Sequence, residues 1–283
     1  MQRATHMTVG GYMNFFQALI LGIVQGLTEF IPVSSSAHLV LVPWLLGWPE
    51  PDLVFDTMAH WGTLLAVVAY FWKDLWDLTI GWVDSLRDRS LNPDPRRRLA
   101  WLVIIGTIPA VLAGALLEKK FEMMFEAPVW PATFLLITGL LLTASEFLSR
   151  RQRRLSDINW PDALVIGVAQ AVAIAPGISR SGATIATGLF RGLQRDVAAR
   201  YSFLLATPII FGAGLLQLKN LLVAGNAESH LPVLITGFIA AAVSGYVCIG
   251  VLMQYLRRGR LYIFAIYCWT LGLISLGLLA AGR

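Results

Sequence analysis

The 283-residue chain is 57% hydrophobic and only 14% charged, whereas a soluble domain carries about 25% charged residues. It holds too little polar surface to cover itself in water, so it is expected to lie in a membrane. The net charge of +5 does not point to nucleic acid, because the arginines cluster at the ends of apolar segments and form no basic surface module.

In chain order, residues 1–13 show no basic region leading into an apolar core and cleavage site. The first apolar segment is therefore expected to act as its own insertion signal. That segment, 15–47, is broken near its middle by Ile31-Pro32-Val33-Ser34-Ser35-Ser36. Three apolar runs follow at about 53–72, 99–118 and 129–148, each near the roughly 20 residues that a spanning helix needs. A second broken segment, 163–192, is interrupted by Ala175-Pro176-Gly177-Ile178-Ser179-Arg180-Ser181-Gly182, and three more runs follow at about 197–220, 231–256 and 261–281. The six long runs are expected to be helices, since every backbone polar group in hydrocarbon must be satisfied within its own segment. The broken segments are expected to enter and leave on one side, because irregular backbone at membrane depth survives only against protein or a wet cavity. Cys248 and Cys268 lie inside apolar runs and read as small buried hydrophobes.

The two broken segments resemble each other. Ala18-Leu19-Ile20-Leu21-Gly22-Ile23-Val24-Gln25 aligns with Ala163-Leu164-Val165-Ile166-Gly167-Val168-Ala169-Gln170 at a constant offset of 145, which also places Ser34 on Ser179 and Ser36 on Ser181. Basic residues mark cytoplasmic loops. They crowd into 73–98 (Lys73, Arg87, Arg89, Arg96, Arg97, Arg98), 149–161 (Arg150, Arg151, Arg153, Arg154) and the short loop of Arg257, Arg258 and Arg260, while 119–128 and 221–230 are mixed in charge and expected to face outward. Tracing the chain then opens the first break from outside and the second from inside. The expected fold class is an all-α integral membrane protein with six transmembrane helices plus two re-entrant broken-helix hairpins. They form a single membrane domain, 1–283, of inverted-topology repeats at approximately 14–148 and 160–281.

The breaks also hold the reactive inventory. Gln25 and Glu29 stand four apart and share a helix face, and a carboxylate in an apolar helix is a functional candidate. Ser34, Ser35, Ser36 and His38 follow at once. In the second break Gly177 permits a sharp turn, and Arg180, flanked by Ser179 and Ser181, places a guanidinium where a half-helix begins. Helix N-termini attract anions, and the guanidinium fork matches phosphate oxygens. The plainer reading is one structural Glu29–Arg180 ion pair with serines as caps. It leaves Gln25 and His38 without a purpose. Together these groups suit phosphoryl transfer, which needs charge neutralisation, a nucleophile and proton management. Asp56 and His60, four apart near the outer start of a span, could support the site from behind or make an interfacial contact, Glu146 reads as a solvated partner of nearby arginines, His230 as a loop residue, and Trp72, Trp101 and Trp130 as interfacial anchors.

The run Gln25-Gly26-Leu27-Thr28-Glu29-Phe30-Ile31-Pro32-Val33-Ser34-Ser35-Ser36-Ala37-His38 resembles the first signature of the bacterial undecaprenyl-diphosphate phosphatases, the bacitracin-resistance family. Pro176-Gly177-Ile178-Ser179-Arg180-Ser181 with Thr184 resembles the second, and the likeness covers essentially the whole chain. Ala37 stands where many members have glycine, and Gln25, rather than Glu, leaves one fewer charge for a metal. The resemblance implies a membrane hydrolase that converts undecaprenyl diphosphate to the monophosphate carrier for cell-wall synthesis, with magnesium or calcium. It implies that Glu29 and Gln25 hold the ion and that Ser35 is the nucleophile, with His38 the alternative. His38 would otherwise move protons, Arg180 would stabilise the transferring phosphoryl, and Ser34, Ser36, Ser179, Ser181, Gly177 and Thr184 would bind substrate. It further implies a polyprenyl diphosphate substrate among membrane lipids, and a bacterial inner-membrane location with the site opening to the periplasm. A second copy of the chain is a candidate partner. The competing class is a secondary transporter or flippase of a lipid phosphate, which would share the inverted repeats and the arginine but has no use for a nucleophile.

Overall fold

The computed structural model describes residues 13–89, 94–125, 127–224 and 231–282, and among them it contains eleven α-helices and no strand. The first half holds α1 (Phe15–Phe30), α2 (Ser35–Leu46), α3 (Leu53–Tyr70), α4 (Trp72–Arg87), α5 (Pro95–Phe125) and α6 (Val129–Leu148). The second holds α7 (Trp160–Val172), α8 (Arg180–Phe190), α9 (Arg195–Ala224), α10 (Leu231–Leu256) and α11 (Tyr262–Ala280). Six of these, α3, α5, α6, α9, α10 and α11, are long and apolar enough to cross a membrane. Each expected broken segment is a pair of short helices, α1–α2 and α7–α8. The expectations for 1–12, 90–93 and 225–230, including His230, lie outside the described residues.

Local chemistry sets the helix starts. Asn14 accepts from Gln17 N while the Gln17 side chain accepts from Asn14 N, both at 2.9 Å, which closes a capping box on α1. Asn159 and Asp162 form the same device on α7, at 3.0 and 3.1 Å. Asp52 caps α3 through Phe55 N at 2.8 Å. Pro95 opens α5, where a missing N–H costs nothing.

Packing depends on small residues, since lipid gives no hydrophobic reason for apolar helices to associate. α10 receives both α1 and α3, α7 lies on α5, and α6 lies on α11. A Cβ added to Gly26 of α1 would fall 2.5 Å from Ala241 O on α10, and one on Gly167 of α7 would fall 2.2 Å from Gly106 O on α5. These backbones meet closely enough that only glycine fits. Cys248 and Cys268 are buried and unpaired, as their apolar surroundings led us to expect.

Three sequence expectations are corrected. The stretch 73–98 is not a plain loop: α4 occupies most of it, buries Leu78, Gly81 and Ser85 at helical spacing, and pairs its Asp74 with Arg200 of α9. Trp101 belongs to the same contact, its indole N–H donating to Ser85 Oγ at 2.9 Å, so it ties α5 to α4. Similarly, residues 119–125, expected in an outward loop, continue α5. Glu146 is not solvated. It is 2% exposed and accepts from Arg151 Nη1 at 2.5 Å, Arg195 Nε at 3.0 Å and Leu261 N at 3.3 Å. The reason is tertiary: α9 and α11 arrive over the end of α6 and close out water. Asp162, wholly buried, is gripped by Arg153 Nη2 at 2.5 Å and Arg191 Nε at 2.6 Å, which joins α7 to the end of α8.

Removing one partner of a buried, hydrogen-bonded ion cluster strands the remaining charges. Glu146→Ala is expected to destabilise the protein by about 3–5 kcal/mol, read as a lower thermal transition in detergent. The specific activity of the folded fraction should remain at the wild-type level.

Candidate active site

The site forms where the two breaks meet. α1 ends at Phe30, and Ile31 to Val33 turn the chain, with Val33 N donating to Ile31 O at 2.7 Å. Ser34 adopts φ 70°, a left-handed conformation that is costly for a residue with a side chain. Its Oγ caps α2 through Ala37 N at 3.3 Å, and its carbonyl accepts from the His38 ring at Nδ1, 2.7 Å away. Ser35, the first residue of α2, then points back at α1 and donates its hydroxyl to Glu29 Oε2 at 2.5 Å. Gln25, one turn earlier, donates its amide to the same oxygen at 3.0 Å.

The second break supplies the counterpart. Gly177 at φ 100° makes the turn, and a Cβ there would lie 2.5 Å from Pro131 O, so both conformation and space require glycine. Ser179 caps α8 through Gly182 N at 3.0 Å. Arg180, first residue of α8, reaches across and donates from Nη2 to Glu29 Oε1 at 2.8 Å. Two further bonds sew the breaks together: Ser181 Oγ to Ile31 O at 3.2 Å, and Gly177 N to Ser36 Oγ at 3.3 Å. Thr184 hydrogen-bonds Ser202 Oγ on α9 at 2.6 Å and holds α8 in place.

The first turns of α2 and α8 thus both begin at one place, with N–H groups that helical bonding leaves free. Glu29 is nearly buried, with its two oxygens shared among Arg180, Ser35 and Gln25. Two atoms in this cluster are buried without a hydrogen-bond partner, Gln25 Oε1 and Arg180 Nη1. An acceptor and a cationic donor thus stay uncommitted. That is capacity which a structural ion pair alone does not use.

His38, expected to move protons or to be the alternative nucleophile, takes its hydrogen-bond partners elsewhere in the fold. Its Nε2 meets Tyr267 OH at 2.7 Å, its ring stacks on Tyr267 at 5.6 Å, and Nδ1 is held by Ser34 O. Both nitrogens are engaged, and neither is bonded to Ser35 or Glu29. His60, on α3, comes closer to the carboxylate, with Nε2 3.9 Å from Glu29 Oε2. Sequence reading missed Thr138, Ser202 and Tyr267. Thr138 on α6 both donates to Gly177 O and accepts from Ser179 N, each at 3.0 Å, and so clamps the second break. A polar residue inside a spanning run was the one available signal for it, and many such residues only bond their own helix.

No three His, Cys, Asp or Glu side chains come together as a metal cage among the described residues. A divalent ion at this site would rest on Glu29 and the uncommitted Gln25 Oε1, with substrate phosphate oxygens completing its shell. That is how magnesium is commonly held, by one or two protein oxygens plus phosphate. The donor set fits an ion on those terms.

A family model described as bacitracin resistance protein BacA matches residues 18–274 of this chain. Among curated relatives, the undecaprenyl-diphosphatase of Methanosphaera stadtmanae is 44% identical over 273 residues, covering 93% of this chain and 98% of the relative. That of Moorella thermoacetica is 45% identical over 255 residues, covering 90% and 94%. That of Thermomicrobium roseum is 44% identical over 279 residues, covering 96% and 100%.

Proposed function

Because the chain belongs to the bacitracin resistance protein BacA family, we propose that it is a membrane-embedded phosphatase that hydrolyses undecaprenyl diphosphate to undecaprenyl phosphate and inorganic phosphate. The observation that carries this reading is the convergence of Ser35 and Arg180 on Glu29 from two separate breaks, with Arg180 Nη1 left unpaired.

The contacts support the following chemistry. Ser35 donates its hydrogen to Glu29, which turns an oxygen lone pair outward and gives the proton its nearest acceptor as the bond to the terminal phosphorus forms. The bond to the bridging oxygen breaks, the lipid monophosphate leaves, and water cleaves the phosphoserine. Arg180, with its unpaired Nη1, and the uncapped first-turn N–H groups of α2 and α8 would stabilise the equatorial oxygens, where charge accumulates in the transition state. Ser34, Ser36, Ser179, Ser181, Gly177 and Thr184 fix the two turns that aim these donors. His38 braces the strained Ser34 carbonyl against Tyr267. Glu29 and Gln25 would hold magnesium or calcium, which neutralises charge on the bound phosphates.

The same proposal extends to setting. With basic loops inside, α1–α2 and α7–α8 are re-entrant pairs from opposite leaflets. α1 packs on α10 as α7 packs on α5, a correspondence that supports the inverted repeat. The site then opens to the periplasmic face of a bacterial inner membrane, where the diphosphate is released by wall-polymer synthesis. A transporter would need the arginine but not a serine hydroxyl held on a carboxylate, and the relatives' names favour hydrolysis. The test is the full chain purified in detergent and given undecaprenyl diphosphate. Release of inorganic phosphate, dependent on a divalent ion, is expected; no release under any divalent ion would end the reading.

A further inference from the structure

Thr138 lies in the middle of α6, only 1% exposed, and spends its hydroxyl on another part of the chain. A threonine hydroxyl has one proton to give. Here that proton goes to Gly177 O at 3.0 Å, and the oxygen accepts from Ser179 N, also at 3.0 Å. Other threonines on the spanning helices return the proton to their own backbone one turn earlier, as Thr207 does to Phe203 O at 3.0 Å. The methyl group is used as well. A Cβ built on Gly182, in the first turn of α8, would fall 3.3 Å from Thr138 Cγ2.

The two backbone groups that Thr138 holds stand on either side of Ile178, and Arg180 follows at once. Gly177, with φ 100°, is the turning point of this break, and its N–H is tied to Ser36 Oγ at 3.3 Å. Ser179 is the N-cap of α8, so its backbone direction fixes where Arg180 leaves the break. Both residues are buried, which makes their backbone groups dependent on protein partners. Arg180 engages Glu29 Oε1 through Nη2 and keeps Nη1 unpaired. The worth of that free donor depends on its aim, since a misplacement of about 1 Å at a reacting centre can cost a hundredfold in rate.

We infer that Thr138 is a positioning residue for phosphoryl transfer: by gripping Gly177 O and Ser179 N it fixes the direction in which Arg180 enters the site. It touches no reacting atom, and its effect runs through Arg180. The consequence for rate rests on the phosphatase reading, whereas the grip itself does not. Thr138→Val keeps the shape and the methyl contact but strands a buried carbonyl and a buried N–H. It should lower kcat by about tenfold to a hundredfold and leave KM within about twofold. Thr138→Ser keeps the hydroxyl and should retain most of the wild-type rate.

The test is a double-mutant cycle on the full chain purified in detergent, with phosphate release from undecaprenyl diphosphate as the rate and the thermal transition of every variant recorded beside it. In the Arg180→Lys background no planar fork remains to be aimed, so Thr138→Val should cost less than about threefold in kcat. A loss as large there as in the wild type would overturn the inference, because the residue would then act on folding or on another group. So would a Thr138→Ser variant no faster than Thr138→Val. Amide hydrogen exchange without substrate reads the grip directly. Residues 176–182 should exchange faster in Thr138→Val than in the wild type or Thr138→Ser, and unchanged exchange would refute the grip. Faster exchange with no phosphate release from the wild type would sink the phosphatase reading and leave the grip standing, whereas release with unchanged exchange does the reverse.

Discussion

Arg180→Ala is expected to lower turnover on undecaprenyl diphosphate by about two orders of magnitude or more, the loss seen when one preorganised charge-stabilising donor is removed from a water-poor site. The side chain is only 15% exposed, one nitrogen is bonded to Glu29 and another is buried without a partner. Its unspent donor is therefore already in place before charge develops on the phosphoryl oxygens, so little reorganisation is needed at the moment of reaction. Alanine also leaves Glu29 buried without its cation, and breaking such a pair costs about 3–5 kcal/mol. Stability loss and lost catalysis must be separated. Arg180→Lys does this, since it keeps the charge and the pairing but lacks the planar fork. The lysine variant should fold with a thermal transition near the wild type yet turn over well below it. A lysine variant as fast as the wild type would mean that the guanidinium serves only to neutralise Glu29.

Ser35→Ala is expected to reduce phosphate release by about three orders of magnitude or more, because it removes the nucleophile and not merely a contact. Structural damage should be small. Ser35 is partly exposed, and α2 is capped by Ser34, not by Ser35. The decisive measurement is chemical: acid-quenched enzyme, digested and mass-mapped, should carry phosphate on Ser35 in the wild type and on no residue in the variant. Phosphate found on His38 would displace this assignment. The geometry argues against that outcome, since both His38 nitrogens are within 2.7 Å of other groups. A variant that retained full rate would show that Ser35 is only a ligand of Glu29.

The four residues at the centre were legible because each breaks a local rule. Glu29 is an acid on an apolar helix, Arg180 a cation inside an apolar segment, and Gln25 shares the face of Glu29 by helical spacing. Ser35 follows a proline that ends a helix. Such violations are detectable one residue at a time. Thr138, Ser202 and Tyr267 violate nothing. A threonine in a spanning helix ordinarily bonds its own backbone, as Thr107 and Thr133 do here at 2.7 Å. Only the approach of another chain segment gives Thr138 a different partner. Glu146 misled for the opposite reason: an acid beside arginines at a helix end looks solvated until other helices are laid over it.

The sequence by itself determined the membrane setting, the six long helices to within a few residues at most ends, and the interruption of two others at Pro32 and Pro176. These follow from hydropathy, helix length and proline geometry, all of which act within a short window of chain. Tertiary structure decided which atoms meet: Ser35 on Glu29, Arg180 across 151 residues of chain onto the same carboxylate, His38 turned away to Tyr267, and His60 brought toward the acid. Hydrogen bonds act only over about 3 Å. No periodicity fixes positions that finely until glycine contacts such as Gly26 on α10 and Gly167 on α5 have set how close the helices stand.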